Sequence, residues 1–534
     1  MTTGLQIPGT VQLVDVDGSL RVEHGGSTDI VLVPQPTDDP DDPLRWRRPR
    51  KLVSIIIAMA WCFLIAALIS GLSPAYLLIE KDTGISVADL STGNGIMFLF
   101  LGWGCLITQA VALTFGRRVT FLVAAILSAA VSLWTAYISS RGEWFVNRIL
   151  LGIAASPQET LIEVVIGDIF FTHDRGFYMG AYSFSLWGAA FICPVATGYV
   201  AQNLGWRWIQ YIMTIFGVVA AVLTFFFFEE TMFYRDHAET VGTAPGQQSE
   251  LHSDTKMHAP AASSLAEESG LDAIGPSTKT YTQKLKLWGL RDARQPSAFR
   301  VFFLPFRLLF MFPGMGFGGL LVGAVLASYT VVGGSLALIL GNPPYNFDAM
   351  SIGLTYLASV IGVIIGCFVS GWLADVLAVF IARRKGGVME PEQRLWIALL
   401  PLVLHPAGCL LYGVGASYHI HWAGVVVGLG LISVTLPIGS NLAFTYVLDS
   451  YKEVAGEGFV SVILIRNMMG FAFGYAVVPM ITNLGLRYAF VVVAMVGWTI
   501  WCTPLLMIWC GKSLRTRTAA KYWRLCEAYG AEAH

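Results

Sequence analysis

Charge is what this sequence has least of. Only 13% of its 534 residues are Asp, Glu, Lys or Arg, and 55% are hydrophobic, where a soluble protein carries about 25% charged residues. Over so long a chain that balance excludes an ordinary water-soluble fold. With 34 basic and 35 acidic residues the net charge is −1, which excludes a nucleic-acid binder that works through bulk electrostatics. The eight cysteines are scattered, most of them in apolar runs, and no Cys-x-x-Cys pair occurs. Neither a disulfide framework nor a zinc site is indicated. "HIH" (His419, His421) has no third ligand nearby, so no metal is expected, and no motif calls for a cofactor. A G-x-x-x-x-G-K-S/T run is missing, which argues against an ATP-driven machine. The first 44 residues hold no short apolar core with a small-residue cleavage site, so the first apolar helix is expected to serve as its own insertion signal.

Long apolar runs are what is there. Crossing a hydrocarbon core of roughly 30 Å takes about 20 such residues, and twelve segments qualify: 52–79, 93–114, 119–139, 143–168, 177–201, 208–229, 299–330, 349–374, 394–414, 421–448, 457–482 and 488–511. Only Gly-Arg-Arg separates the second from the third, and Pro313 marks a place where the seventh can break. Lys and Arg bias in short loops orients such a chain. With the N-terminus inside, the inner loops and ends hold eighteen basic residues against four outside, so both termini are expected to be cytoplasmic. The polar stretch 231–298 cannot bury enough apolar surface to fold alone. Its end, "YTQKLKLWGLRDAR", reads either as a short helix on the membrane face or as solvated linker. The expected organisation is a disordered cytoplasmic tail (1–50), a six-helix bundle (51–230), a cytoplasmic linker (231–298), a second bundle (299–512) and a cytoplasmic tail (513–534).

The halves echo each other. "GWRW" (Gly205 to Trp208) opens helix 6 and "GLRY" (Gly485 to Tyr488) opens helix 12. Asp168 ends helix 4 and Asp449 ends helix 10, with Arg207 and Arg487 following 39 and 38 residues later. Arg117 and Arg118 follow the second helix of the first half; Arg383 and Arg384 follow that of the second. Two six-helix repeats related by an axis along the membrane normal are one established design for secondary transporters.

Particular stretches carry a resemblance from Asp42 to Gly511. "DDPDDPLRW" precedes helix 1. "GWGCLITQAVALTFGRR" lies between helices 2 and 3, with Gln109 and Leu113 in two places where its second-half counterpart and the wider pattern differ, and "GWLADVLAVFIARR" is the fuller version, with Gly371, Asp375, Arg383 and Arg384. "NRILLG" opens helix 4, "WGAAFICPVATGYV" holds Pro194 and Gly198 in helix 5, and "NPPYNF", "EPEQRLW", "LDSYKE" and "GEGFVSVILIRN" follow in the second half. Together these resemble the major facilitator superfamily, in particular the fungal drug:proton antiporter branch with its polyamine carriers and secondary-metabolite exporters. The resemblance implies an all-α membrane protein of the major-facilitator fold, with twelve transmembrane helices in two pseudo-symmetric six-helix bundles. It also implies a cavity among helices 1, 4, 7 and 10, to which Tyr76 (beside Pro74) and Asn441 (beside Pro437) are suited, though either also suits packing.

Helix 4 carries the charges that a bilayer tolerates least. As a continuous helix it puts Arg148, Gly152, Glu159 and Glu163 on one stripe. A charge at mid-membrane costs on the order of 3 kcal/mol even by gentle scales, so such residues face a bundle interior or a water-filled path. Glu159 and Glu163 are candidates for taking up and releasing a proton. Glu163 and Asp168 also read as latches on cytoplasmic arginines, among them Arg117, Arg118 and Arg175. Arg148 reads as an aid to proton transfer, a cavity anchor or the partner of a neighbouring helix. Arg307 on helix 7 and Arg466 on helix 11 either meet an anionic substrate group or balance the helix 4 carboxylates. His405 reads as a hydrogen-bonded core histidine. The expectation is a monomeric, multi-pass plasma-membrane carrier, working in the lipid bilayer with protons and a small-molecule substrate and binding no nucleic acid. It exports a secondary metabolite, toxin or drug; the alternative is proton-coupled uptake of a polyamine or similar nutrient. A polytopic membrane enzyme is disfavoured, because no clustered nucleophile or His/Asp set lies near one face.

Overall fold

A computed structural model describes residues 8–12, 24–25, 30–31, 39, 41–233, 283, 298–384 and 388–531. Inside a bilayer a backbone can satisfy its polar groups only by closing on itself, and these apolar runs do so as helices. Helix α1 is Arg48–Ser70, prolonged past a 3-10 turn at Ser73–Ala75 by Tyr76–Thr83. Then come α2, Val87–Phe115; α3, Arg117–Thr135; α4, Arg141–Ala155 continued by Leu161–Ile169; α5, Thr172–Asn203; and α6, Trp206–Phe227. In the second half α7 is Pro313–Leu340 and α8 is Ala349–Phe368, which runs on through a π turn into Ala374–Arg384. Pro391–Ser417 forms α9 and Trp422–Ser450 forms α10.

Among the described residues, eleven helical stretches are long and apolar enough to span a membrane. The last of them holds two passages. Within Ala455–Trp501, Gly485 has φ 77° and ψ 157°, a conformation that costs glycine little and other residues much. Met469 and Phe473 before it and Val493 and Gly497 after it line one small hollow with Ser328, so the chain doubles back there. Helix α11 precedes Gly485 and α12 follows it, which makes twelve.

The halves meet along two seams, α2 against α11 and α5 against α8, and small residues let the backbones approach. A Cβ on Gly198 would stand 2.6 Å from the carbonyl oxygen of Ala349, and one on Gly353 would stand 2.9 Å from that of Pro194. On the other seam, a Cβ on Gly474 would lie 3.2 Å from the Cα of Gly95.

The break foreseen at Pro313 is present. The seventh span is two helices, Ala298–Met311 and Pro313–Leu340, because Pro313 lacks an N–H and pushes Phe312 to an extended φ of −120°. The first of these packs against α2 and α11, with Ser461 Oγ donating to the Pro305 carbonyl at 2.7 Å. The N-terminal tail, expected to be disordered, is partly ordered, a correction of that reading. Val11–Gln12 pairs antiparallel with Val388–Met389, and the buried Arg515 guanidinium donates to the Pro8 carbonyl at 2.5 Å. Helix Thr503–Ala531 carries the chain beyond α12, held where Arg515 grips Glu392 through two hydrogen bonds of 2.9 and 2.6 Å. Apart from 231–233, Gln283 and Ala298, the proposed linker lies outside the described residues.

Candidate functional site

Pro157 decides how the charges of α4 are arranged. The helix opens on a capping box between Ser140 and Glu143 and stops at Ala155. Ser156–Glu159 form a 3-10 turn, and Leu161–Ile169 resumes the helix. A 3-10 residue turns about 120° rather than 100°, so the straight stripe expected of a continuous helix does not form. Arg148, Glu159 and Glu163 point to three different places.

Glu159 reaches across to the other half. Its carboxylate is ion-paired with Arg466 of α11, the two side chains being 1% and 3% exposed. The Arg466 guanidinium stands 6.0 Å above the ring of Trp187. Phe98, Gln158, Trp187 and Tyr329 line the central cavity around the pair. A second hollow shares Ser70, Phe98 and Tyr329 with it and adds Ser73, Tyr76, Asn94, Phe191 and Tyr356. Tyr329 is the hub of an aromatic set, its ring centroid 5.6 Å from those of Trp187 and Phe191 and 6.1 Å from that of Phe98. Both halves therefore build one crevice, with the charged pair in it.

The other expected cavity residues divide. Tyr76 does line the crevice, its hydroxyl accepting from Asn94 Nδ2 at 2.6 Å. Arg148 does not reach Glu159. It lies within the first bundle, donating to Asn147 Oδ1 at 2.8 Å and Thr135 Oγ1 at 3.1 Å and stacking 4.2 Å over Trp144. Glu163 is buried in the same bundle, and among the described residues neither of its carboxyl oxygens has a hydrogen-bond partner, so the arginine pairing expected of a latch is not found there. Asn441 stitches the seam, accepting from Ser183 Oγ of α5 and donating to Ser370 Oγ at 2.7 Å. Arg307 leaves the site altogether: the break at Pro313 puts it on the preceding helix with its side chain exposed. Pro194 and Gly198 sit where α5 meets α8.

At the basic end of the bundle Asp168 pairs with Arg117. Glu230, just past α6, accepts the backbone N–H of Arg117 and of Arg118 at 3.1 Å each, satisfying the start of α3. Arg118 donates to the Phe225 carbonyl at 2.5 Å. Arg175 closes the end of α4, donating to the carbonyls of Gly167 and Phe170 at 2.7 and 3.1 Å. The second half is not a copy. Asp449 stands 3.8 Å from Arg394, while Arg383 and Arg384 are exposed on the extension of α8, Arg384 lying 4.4 Å over Phe380. The side chain of Asp375 lies outside the described residues. Glu229, which binds Arg50 at 2.5 Å, and Glu230 escaped the sequence reading, although two acids closing the run "FFFFEE" beside a basic loop were a usable signal.

The sequence profile described as Major Facilitator Superfamily matches residues 58–473. The chain belongs to that superfamily. It is a multi-pass membrane protein and a secondary transporter, not an enzyme. It is similar to an uncharacterized MFS-type transporter of Schizosaccharomyces pombe, 27% identical over 97% of this chain and 94% of the relative. Protein HOL1 of Saccharomyces cerevisiae is 24% identical over 97% and 96%. The probable efflux pump mfs2 of Aspergillus flavus is 24% identical over 84% of this chain and 100% of its own. The proton:xylose symporter XylE shares the fold at a TM-score of 0.56, with 13% identity over 87% of this chain and 96% of that one. Members of the superfamily bind small-molecule substrates, often with proton coupling.

Proposed function

We propose that this protein is a proton-coupled antiporter of the drug:proton branch that exports a small organic compound across the plasma membrane, with both termini in the cytoplasm. The observation that carries the reading is the buried Glu159–Arg466 pair, which joins the two halves inside an aromatic-lined crevice. Protonating Glu159 removes its charge and releases Arg466, and a cationic substrate competes with Arg466 for the same carboxylate. Aromatic faces attract cations, and Tyr329, Phe191 and Trp187 present such faces beside the pair. One proton moving down about 100 mV and one pH unit releases roughly 3.7 kcal/mol, enough for about a 500-fold gradient of a neutral compound. The efflux name of one relative supports the outward direction.

A second reading is uptake of a polyamine or similar nutrient through the same site. The exposure of Arg307 favours it, because that position takes away a cation that would have met an anionic substrate. The decisive experiment is transport in proteoliposomes with an imposed pH gradient of either sign, offering organic amines, drug-like cations and organic anions. Accumulation of an organic cation against its gradient, driven by protons moving the other way, is expected. Accumulation indifferent to the pH gradient would sink the proton coupling, and Glu159→Gln is expected to flatten the pH dependence of transport.

A further inference from the structure

Glu163 lies four residues beyond Glu159 toward the basic end, in the resumed helix Leu161–Ile169, yet it has no part in the pair with Arg466. It is 2% exposed, and neither carboxyl oxygen has a hydrogen-bond partner among the described residues. The titratable groups facing it are Cys62 of α1, Cys105 of α2 and Tyr182 of α5. The turn Pro43–Arg45, packed against the same stretch of helix, adds Arg45 at the basic end. The charged neighbours on either side are already engaged: Arg466 with Glu159, and Arg117 with Asp168.

A carboxylate buried without a counter-charge is expensive by several kcal/mol, and the neutral acid is not. Ionisable groups kept inside membrane bundles against that cost mark ion paths and proton relays. Glu159 is in the opposite situation, because the Arg466 guanidinium stands against it as a counter-charge. Tyr182 links the two places, since it faces Glu163 while its hydroxyl donates to the Gln158 carbonyl at 2.9 Å. Two carboxyls four residues apart, one with a cation and one without, are arranged to hold a single proton between them.

Building on the proton-coupled reading above, we propose that Glu163 is a second proton-carrying residue, which takes the transported proton from Glu159 as Glu159 pairs again with Arg466 and holds it until it leaves. The proton binds Glu159 as the guanidinium withdraws. When the guanidinium returns, the proton leaves Glu159, binds the Glu163 carboxylate and departs from there to the basic end. Protons thus exit through the interior of the first bundle, while substrate moves between the halves.

The test compares full-length parent, Glu163→Gln and Glu163→Asp in proteoliposomes, scoring the ratio of gradient-driven accumulation to gradient-free exchange, and in detergent, scoring substrate-induced proton release with a pH dye. Glu163→Gln is expected to lower the ratio at least tenfold and reduce proton release to background, with Glu163→Asp recovering a third or more. A Glu163→Gln protein with the parent's ratio and proton release overturns the proposal. Should Glu163→Gln fail to fold, infrared difference spectra of the parent and Glu163→Asp after a pH step decide: a carboxylic-acid band that shifts with the Asp substitution supports the proposal, and an unshifted band overturns it. A parent without gradient-driven accumulation removes the reading of the preceding section, whereas full coupling in both parent and Glu163→Gln removes only this one.

Discussion

The fourth helices of the two halves show how far a shared architecture can diverge in chemistry. Helix α4 buries Arg148, Glu159 and Glu163 and is interrupted at Pro157. Its counterpart α10 runs from Trp422 to Ser450 with Pro437 inside and no charged side chain before Asp449. The second half gives the crevice one cation, Arg466, and the rings of Tyr329 and Tyr356. His405, buried in the same half, is spent on a 2.8 Å hydrogen bond with Ser328. The repeat supplies the container twice and the mid-helix charges of α4 once.

Arg466→Met is the sharpest way to attack that comparison, since it removes the single cation the second half contributes. Leaving one member of a buried pair alone costs about 3–5 kcal/mol, so unfolding in detergent should show a loss of that order and proton-driven accumulation should vanish. The double variant Glu159→Gln/Arg466→Gln should regain most of the stability without the transport. A single variant as stable as the parent would mean that charge does not join the halves. Next comes the α5–α8 seam, where the halves contribute equally. Gly198→Leu and Gly353→Leu should each destabilise by about 1–3 kcal/mol through overpacking and raise cysteine labelling of Ser73→Cys in the crevice, whereas Gly142→Leu, with open space around its Cβ position, should do neither. The corresponding ends of the two halves should differ as well. Glu230→Ala strips two N–H groups at the start of α3 of their acceptor and should cost about 1–2 kcal/mol. Arg394→Ala, which removes a contact of 3.8 Å between partly exposed groups, should cost below about 1 kcal/mol.

Much of the fold was legible because a bilayer imposes a length and an apolar composition that few other constraints mimic; the reversal at Gly485 was marked by "GLRY" and the end of α2 by Gly116. The charges of α4 were legible through their rarity. Their directions were not, because one proline changed the angular step between Ala155 and Leu161 and separated residues that periodicity had aligned. Arg307 was misplaced for a related reason: Pro313 marked where the seventh span can break, but an apolar run does not show which way the residues before such a break face. The aromatic set around Tyr329 was hidden by abundance, since Phe, Tyr and Trp occur throughout membrane helices and only packing singles out those that face the crevice. Val11–Gln12 was illegible outright, because a two-residue strand has no periodicity.

The mildest contrast lies at the starts of α2 and α8, the second helix of each half. Ser86 caps α2, its hydroxyl accepting the Asp89 N–H at 3.1 Å, and Asp348 caps α8, its carboxylate accepting the Ser351 N–H at 2.9 Å. Hydrogen bonds from the Ser351 side chain and backbone hold the Asp348 carboxyl below its ordinary range. A group depressed in this way stabilises the folded form above its unfolded value, near 4, and that contribution fades as pH falls through the lower folded value. A serine hydroxyl does not titrate in that window. Between about pH 6 and about pH 3 the amide-exchange protection of Ser351, corrected for intrinsic rate, should therefore drop by about fivefold, equivalent to the roughly 1 kcal/mol that a helix cap contributes, while the Asp89 amide keeps its own. Asp348→Asn retains a capping oxygen without the titration and should abolish the difference; equal loss at both amides would show that acid acts on the bundle as a whole rather than on the cap.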